Sequence, residues 1–347
     1  MSLVFENISH RYGKTAILDQ ISLTAASGEI LCLLGPSGCG KTTLLNLAAG
    51  ILPLQAGKMT LDDQELASAQ NSPPPEKRPV GLVFQEGALF PHLSVMDNVK
   101  FGIDRHPDRD AIASGLLERI GLADLGSRFP HTLSGGQQQR VAVARALAPK
   151  PRVILMDEPF ASIDIMLRRR LREEIRYLLK TQNCITIMVT HDPEEAMEIS
   201  DKLAIMQNGR IAQFGRPRDI YDNPQSIAVA KLTSEGTAIS AHITDGKIQT
   251  EFGQWPINAM RKTETAQPSD AFKVFLRPFS IRLEQSDAKD APLTLSDVRH
   301  TGQAQIVTIE TPTGQTLKLY VDNDKLWQTG QSVSLAPNSE SLIAFPS

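Results

Sequence analysis

The sequence has no apolar run that approaches the roughly 20 residues needed to cross a bilayer. Its 36 Lys and Arg residues against 39 Asp and Glu residues leave a net charge of −3, so the basic surplus of a dedicated nucleic-acid-binding protein is missing. The three cysteines, Cys32, Cys39 and Cys184, are too few and too scattered for a disulfide framework or a zinc site. The first residues lack a charged start followed by an apolar signal core. We therefore expect a protein that stays in the cytoplasm and has three free thiols.

One stretch predicts a specific chemistry. The phosphate-binding pattern G-x-x-x-x-G-K-[ST] is filled at every position by Gly35-Pro36-Ser37-Gly38-Cys39-Gly40-Lys41-Thr42. The apolar run Ile30–Leu34 before it predicts a buried strand, and residues 43–49 predict a helix that ends at Gly50. Glycines let backbone N–H groups converge on phosphate oxygens, a helix N-terminus adds positive potential, and Lys41 adds a point charge. These residues, with Thr43, predict a nucleoside triphosphate site in which Thr42 is a Mg²⁺ ligand.

Polar side chains follow three further apolar runs. Gln85 comes after residues 80–84, Asp157 and Glu158 end the run 153–158, and His191 comes shortly after residues 184–189. Ligands of a doubly wound sheet lie beyond the carboxyl ends of its strands, so these side chains can share a site with the phosphate loop. The side-chain period of two predicts that Asp157 and Glu158 point in opposite directions. Asp157 then suits the Mg²⁺ shell, and Glu158 suits the polarisation of an attacking water. Alone, Gln85 has no assignable role, and a lone histidine after a strand is usually structural.

A second glycine motif, Leu133-Ser134-Gly135-Gly136-Gln137, precedes a predicted helix over residues 138–148. It follows a helical insertion that includes a predicted helix over residues 111–120. Glycines before a helix N-terminus predict a second phosphate site. One nucleotide does not need two such sites from the same chain, so we expect the motif to close over nucleotide held by a partner chain.

Two segments remain ambiguous or point away from nucleic acid. Residues 88–93 are unusually apolar for a loop and are equally consistent with a docking surface and with core. The arginine-rich residues 168–174 predict a solvated helix face, because Arg169 with Glu173 and Arg170 with Glu174 are spaced as i,i+4 pairs. Asn208-Gly209, between residues 203–207 and 210–214, predicts an antiparallel hairpin at the sheet edge.

The sequence pattern changes after about residue 236. Short alternating stretches occur at residues 247–252, 271–276, 305–311, 317–321, 332–336 and 342–345. They predict a small all-β barrel that resembles an oligonucleotide-binding fold. The barrel is poor in basic and stacking aromatic residues, which argues against nucleic-acid binding. At 347 residues the chain is long enough for this domain and a larger one before it, so we expect domains over 1–235 and 236–347.

The motifs of residues 1–235 together resemble the complete motif set of ATP-binding cassette proteins. They are, in order, Tyr12, the phosphate loop, Gln85, residues 133–137, Asp157-Glu158, residues 162–164 and His191. The resemblance implies an α/β P-loop cassette, with a RecA-like core and a helical subdomain, that hydrolyses ATP with Mg²⁺. It also implies a role for each residue. Glu158 is the catalytic base, His191 contacts the γ-phosphate, Gln85 senses Mg²⁺ and the coupling region, and Tyr12, otherwise an ordinary loop aromatic, stacks on adenine.

The same resemblance implies the partners. Two protomers pack head to tail, and each ATP lies between one phosphate loop and the partner's Ser134, Gly135, Gly136 and Gln137, while Asp164 links the two sites. Ile163 stands where the family usually has leucine. A cassette followed by a barrel resembles the separate ATPase subunits of bacterial importers, and Phe275-Leu276-Arg277-Pro278 resembles a segment of their C-terminal TOBE domains. Phe279 follows where the family usually has an acidic residue.

The importer resemblance implies a homodimer at the cytoplasmic face of the inner membrane. Its partners are two permease subunits, or one fused permease, and indirectly a solute-binding protein. Residues 84–92, with Glu86-Gly87 at their centre, are similar to ferric-iron importers, and so are residues 146–149. Sulfate, molybdate, polyamine and sugar remain alternative solutes, and a cassette ATPase acting on nucleic acid is a remote alternative.

Overall fold

A computed structural model describes residues 1–85, 88–161, 163–261, 271–286 and 293–346, without the side chains of residues 165 and 166. The chain divides into two compact units, Met1–Ile220 and Tyr221–Ser347. The predicted boundary at residues 235/236 falls inside the second unit. Residues just before that boundary, including Ala230, pack in a small core with Phe275, Ile343 and Phe345. Within the described chain no helix is long and apolar enough to span a bilayer.

Among its described residues the first unit contains ten strands and six α-helices, and a further α-helix reaches past its end. In chain order these elements are β1 (Ser2–Tyr12), β2 (Thr15–Ala26), β3 (Ile30–Leu34), α1 (Lys41–Ala49), β4 (Ala56–Leu61), β5 (Gln64–Ser68), β6 (Val80–Val83), α2 (Val95–Lys100), α3 (Arg109–Arg119), α4 (Gly135–Leu147), β7 (Val153–Asp157), α5 (Ile165–Gln182), β8 (Ile185–Thr190), α6 (Pro193–Ile199), β9 (Lys202–Gln207), β10 (Arg210–Gly215) and α7 (Pro217–Asp222).

A six-stranded sheet with the order β10-β9-β3-β8-β7-β6 forms the centre of this unit. All neighbours are parallel except β9 and β10. Strands β3 and β8 are buried along their whole length, which explains why they read as continuous apolar runs. The predicted hairpin between β9 and β10 is confirmed, because Asn208 and Gly209 have φ angles of 48° and 75°.

A second, antiparallel sheet has the order β2-β1-β4-β5. Its apolar side chains share one core with those of β3, β7 and β8 and of helix α1. Helix α1 ends at Gly50, which adopts a left-handed φ of 79°, so the predicted C-terminus is confirmed.

Helices α2, α3 and α4 are inserted between β6 and β7, as the sequence indicates. The predicted start of α4 at Gln138 is wrong, because the helix begins at Gly135. Ser134 and Gln137 form a capping box that satisfies two backbone N–H groups. The glycines of this motif therefore form the first helical turn and do not precede it.

One of the two ion pairs predicted on α5 is present. Arg170 Nε lies 3.0 Å from Glu174 Oε1, whereas Arg169 Nε lies 4.0 Å from Glu198 on α6. Arg169 thus contacts a neighbouring helix instead of the predicted Glu173. The three cysteines are free and buried, as expected.

The second unit contains one more helix and ten strands among its described residues. They are α8 (Ile227–Thr233), β11 (Thr237–Thr244), β12 (Lys247–Thr250), β13 (Gly253–Pro256), β14 (Phe272–Leu276), β15 (Ile281–Gln285), β16 (Leu293–His300), β17 (Ala304–Glu310), β18 (Thr316–Asp322), β19 (Ser332–Pro337) and β20 (Ile343–Pro346). Two five-stranded antiparallel sheets, β13-β12-β11-β14-β20 and β15-β19-β16-β17-β18, enclose one core. The predicted all-β class of this region is confirmed; strands β11, β13, β15 and β16 are not among the stretches that the sequence indicates.

Candidate nucleotide site

The carboxyl ends of four parallel strands form one edge of the central sheet. Leu34 of β3 and Thr190 of β8 are in register, and β7 and β6 extend the row. Residues that follow these strands therefore share one edge. The structure brings the predicted residues Gln85, Asp157, Glu158 and His191 to this edge, together with the phosphate loop, residues 35–42.

The phosphate loop is shaped by glycines at two crowded positions. A Cβ at Gly35 would lie 2.3 Å from the carbonyl oxygen of Met206, and a Cβ at Gly40 would lie 2.5 Å from Leu18 Cδ2. Gly40 also has a φ of 102° and immediately precedes α1. Only glycine gives the backbone this close approach without strain. The loop therefore presents backbone, and not side chains, at the N-terminus of α1.

Lys41 and the start of α1 make the loop electropositive. The Lys41 side chain is buried, and its Nζ donates to the carbonyls of Gly35 and Pro36 at 2.8 and 3.1 Å. The first N–H groups of a helix lack intrahelical partners and attract anions. Cys39 is buried, so it contributes its backbone, and not its thiol, to the loop surface. Burial also raises the pKa of this thiol. This arrangement suits the phosphates of a nucleotide.

A hydroxyl and a carboxylate lie together beside the loop. Thr42 Oγ1 donates to Asp157 Oδ1 at 3.3 Å. Burial raises the pKa of Asp157, and the neighbouring Glu158 adds to the rise, while Thr42 and Lys41 oppose it. A partly desolvated carboxylate next to a hydroxyl oxygen offers the hard oxygen ligands that Mg²⁺ prefers. Thr42 and Asp157 therefore fit a magnesium ion.

Glu158 and His191 form a pair. Glu158 Oε2 lies 3.0 Å from His191 Nδ1, and the backbone N–H of Glu158 donates to the carbonyl of Val189. Glu158 has a φ of 44°, so the chain leaves β7 at Asp157. A left-handed backbone turn therefore separates Asp157 from Glu158, and the predicted strand alternation does not apply to them. The half-buried carboxylate faces the sheet edge beside an exposed imidazole.

Gln85 is exposed in a turn that follows β6. Its predicted neighbours Glu86 and Gly87 lie outside the described residues. Further along, Arg145 of α4 donates to the Ala88 carbonyl at 2.9 Å and lies 5.1 Å from the centre of the Phe90 ring. The chain after Gln85 is thus fastened to the helix that begins with the second glycine motif.

The segment 88–93 contains both half-buried and exposed side chains. Phe90 is half-buried, and its ring lies 4.3 Å from the Phe101 ring in a tilted arrangement, while His92 is exposed. Buried Asn98 holds the segment by donating to the carbonyls of Phe90 and Leu93. A cleft of about 440 Å³ adjoins it, lined by His92, Leu93, Asp97, Lys100, Phe101, Asp104 and Arg109. Half of the segment is therefore packed, and the other half is available to a partner.

The remaining predicted residues lie on other elements. Ser134 is exposed at the start of α4, followed by exposed Gly135 and half-buried Gly136 and Gln137. Asp164 is exposed and its carbonyl accepts hydrogen bonds from the first turn of α5. Ile163 before it is buried, and Ser162 lies outside the described residues. Tyr12 is 51% exposed at the end of β1, on the antiparallel sheet.

A buried ionic cluster behind His191 was not predicted. Arg172 is buried and donates to Asp192 and Glu198 at 3.0 and 3.1 Å, and Asp192 also caps α6. Glu195 is buried beside them, and burial raises its pKa to about 7 although Arg172 opposes the rise. The polar first turn of α6 offers no apolar period that would have indicated its burial.

Comparison with known proteins places these features in context. The ABC transporter family matches residues 18–161, and the TOBE domain family matches residues 274–345. A spermidine/putrescine import ATP-binding protein of Pseudomonas aeruginosa is 36% identical over 96% of this chain and 96% of its own length. A Fe(3+) ions import ATP-binding protein of Pseudomonas fluorescens is 39% identical over 84% and 81%. A sulfate/thiosulfate import ATP-binding protein of Photorhabdus laumondii is 38% identical over 84% and 81%.

Proposed function

The chain belongs to the import ATP-binding proteins of ABC transporters, and from this premise we propose that it hydrolyses ATP to drive the import of ferric iron. The observation that carries the catalytic part is the row of strand ends that brings the phosphate loop, the Thr42–Asp157 contact and the Glu158–His191 pair to one sheet edge. Each of these groups has a distinct task in ATP hydrolysis.

The phosphate loop binds the triphosphate. Backbone N–H groups of residues 35–43 and the N-terminus of α1 receive the phosphate oxygens, and Lys41 supplies a positive charge close to them. Thr42 and Asp157 hold Mg²⁺, with Gln85 at the adjacent strand end. The bound Mg²⁺ supplies neutralisation of the phosphate charge.

Glu158 acts as the general base. Its carboxylate accepts a proton from the water that attacks the γ-phosphate, and the bond between the γ-phosphorus and the bridging oxygen of ADP breaks. His191, 3.0 Å from this carboxylate, fixes its orientation and contacts the γ-phosphate.

Two copies of the chain complete the site. Ser134 and the glycines of the first turn of α4 form a second anion-binding helix N-terminus that has no use for the nucleotide of its own chain. We assign it to the ATP held by the partner copy, with Asp164 linking the two sites. Tyr12 carries the adenine ring on its exposed face.

The cleft beside residues 88–93 is the contact site for the permease. It is lined by the exposed His92 and by Phe101, whose ring packs against Phe90 in the segment that follows Gln85. A permease segment bound in this cleft would be coupled to the nucleotide site through the residues that follow Gln85 and through Arg145. The protein would thus be peripheral on the inner face of the membrane, in complex with permease subunits that receive solute from a binding protein.

The second unit, including the predicted domain 236–347, serves regulation and dimerisation. Its exposed Phe279 stacks on Tyr320 at 5.1 Å in place of an acidic residue after Arg277-Pro278. No nucleic-acid role is proposed.

The assignment of ferric iron as the solute rests on the similarity of residues 84–92 to iron importers and on the relative with 39% identity. Polyamine import is a second candidate, because the spermidine/putrescine relative aligns over 96% of both chains.

The catalytic assignment is tested with Glu158→Gln in the purified chain. Because only the group that activates water is lost, we expect ATP binding within about threefold of wild type and hydrolysis at least about 100-fold slower. Glu173→Gln, an exposed carboxylate on α5, is the matched control and should hydrolyse ATP normally. Normal turnover by Glu158→Gln would refute the assignment.

A further inference from the structure

His10 is a buried histidine beside the proposed adenine platform. It is 2% exposed, and its ring lies 4.9 Å from the Tyr12 ring, with the two planes at 78°. Such an edge-to-face contact between rings is a favoured arrangement. The two residues are separated by one position in β1, and the pairing of β1 with β2 shifts register on both sides of His10.

The His10 ring is costly to bury. Within the described part of the chain neither Nδ1 nor Nε2 has a hydrogen-bond partner. Burial lowers the pKa of His10, so the ring is neutral near pH 7. A buried polar atom without a hydrogen-bond partner destabilises the folded protein. Packing stability alone therefore does not explain a histidine here.

His10 also touches the frame of the phosphate loop. It is in register with Leu18 of β2, after a shift in the pairing of β1 and β2. Leu18 in turn packs against Gly40, because a Cβ added to Gly40 would lie 2.5 Å from Leu18 Cδ2. The pairing of β1 with β2 thus links His10 and Tyr12 to Leu18, which lies against the phosphate loop.

We propose that His10 is a positioning residue that sets the Tyr12 ring at a fixed distance from the phosphate loop, so that base and phosphates of one nucleotide are bound together. This inference rests on the proposed binding of ATP. His10 acts through Tyr12 and does not touch the nucleotide. Loss of its ring frees Tyr12 to change rotamer, which weakens binding of the base and leaves binding of the phosphates unchanged.

The test compares two ligands by calorimetry, a non-hydrolysable ATP analogue and inorganic tripolyphosphate, which has no base. We expect His10→Ala to raise the Kd for the analogue about twofold to tenfold, the range of an aromatic pair. The Kd for tripolyphosphate should stay at the wild-type value. Tyr12→Ala should weaken analogue binding as well, and the double variant should bind no worse than Tyr12→Ala alone, because His10 acts through Tyr12.

His10→Phe is the conservative variant, since it keeps a flat ring and removes the unpartnered nitrogens. It should bind the analogue like wild type and melt at a higher temperature. Additive effects of the two alanine substitutions would overturn the proposal, and so would an equal loss of tripolyphosphate binding. If the variants show this binding pattern but the wild-type chain does not hydrolyse ATP, the proposed function is refuted and the role of His10 stands. A chain that binds neither ligand would refute both.

Discussion

Glu195 is the residue whose environment departs most from what its chemistry prefers. It is 3% exposed behind His191, and within the described chain its Oε1 has no hydrogen-bond partner. Burial raises its pKa from 4.5 to about 7, against the opposing charge of Arg172. Arg172 itself is paired with Asp192 and Glu198 through its two terminal nitrogens. Near neutral pH the Glu195 carboxyl is therefore partly protonated in the folded chain.

This raised pKa makes stability depend on pH. Between pH 4.5 and about 7 the folded chain keeps a proton that the unfolded chain has lost, so raising the pH through this window destabilises the fold. The full effect, on the order of 3 kcal/mol, is present above pH 7 and absent below pH 4.5. We expect the melting temperature of Glu195→Gln, relative to that of wild type at the same pH, to be higher at pH 8 than at pH 5.

Glu194→Gln is the control for this measurement, because Glu194 is an exposed neighbour on the same helix turn. Its melting temperature should follow wild type at both pH values. An equal difference between Glu195→Gln and wild type at pH 5 and pH 8 would contradict the account.

Single residues show what the sequence could and could not predict. Asp157, Glu158 and His191 could be placed at one sheet edge because each follows an apolar run that predicts a buried strand. The direction of Glu158 could not be predicted, since its φ of 44° is a property of the folded turn. The contact of His10 with Tyr12 could not be predicted either, because β1 shifts its register beside His10 only in the fold.

At the scale of elements, the phosphate loop has two glycines that differ in their surroundings. Gly38 and Gly40 have φ angles of 79° and 102°, but only at Gly40 would a Cβ clash, with Leu18 and the Ile17 carbonyl. The left-handed backbone costs alanine about 1–2 kcal/mol at either position. Overpacking adds about 1–3 kcal/mol at Gly40 alone.

We therefore expect Gly40→Ala to lower the melting temperature clearly more than Gly38→Ala, measured by thermal unfolding without nucleotide. Gly38→Ala serves as the matched control for the backbone effect. Equal losses would mean that β2 does not hold the loop from behind, and the packing of Leu18 against Gly40 would be wrong.

The start of α4 shows why element boundaries escape sequence analysis. Two adjacent glycines are poor helix formers, which favours a start after them. The capping box of Ser134 and Gln137 outweighs this preference in the fold. Two of the four strands of the second unit that the sequence did not indicate, β11 and β16, have few strong β-formers on their outer faces.

The segment 88–93 predicts a separation of hydrolysis from transport. Phe90→Ala with His92→Ala removes one side chain that lines the proposed permease cleft and the ring that packs against the cleft residue Phe101, and it leaves the sheet edge intact. We expect basal ATP hydrolysis by the purified chain within about twofold of wild type, together with loss of stimulation by reconstituted permease and of transport. Tyr177→Ala, which removes an aromatic ring that is 74% exposed on α5, should leave both activities normal. Retained stimulation in the double variant would place the permease contact elsewhere.

For the whole molecule, the order of a P-loop cassette and an all-β region after it follows from the order of the motifs and from the alternating stretches. The two compact units meet at residues 220/221, within α7, and α8 packs with β14 and β20 inside the second unit, which the sequence alone does not show. The domains 1–235 and 236–347 stay a prediction. No described residue is assigned to binding of the solute, because the described sites concern the nucleotide and protein partners.

The central claim is tested most directly by solute uptake in cells that lack the native gene and carry either this chain or Glu158→Gln. Radiolabelled ferric iron, spermidine and sulfate are supplied in parallel, with Glu173→Gln as the control. The account predicts that wild type and Glu173→Gln restore iron uptake and that Glu158→Gln abolishes it, while uptake of the other two solutes is unchanged. Normal iron uptake with Glu158→Gln, alongside loss of spermidine or sulfate uptake, would contradict the iron assignment; normal uptake of all three would contradict the chain's role as the driving ATPase of their import.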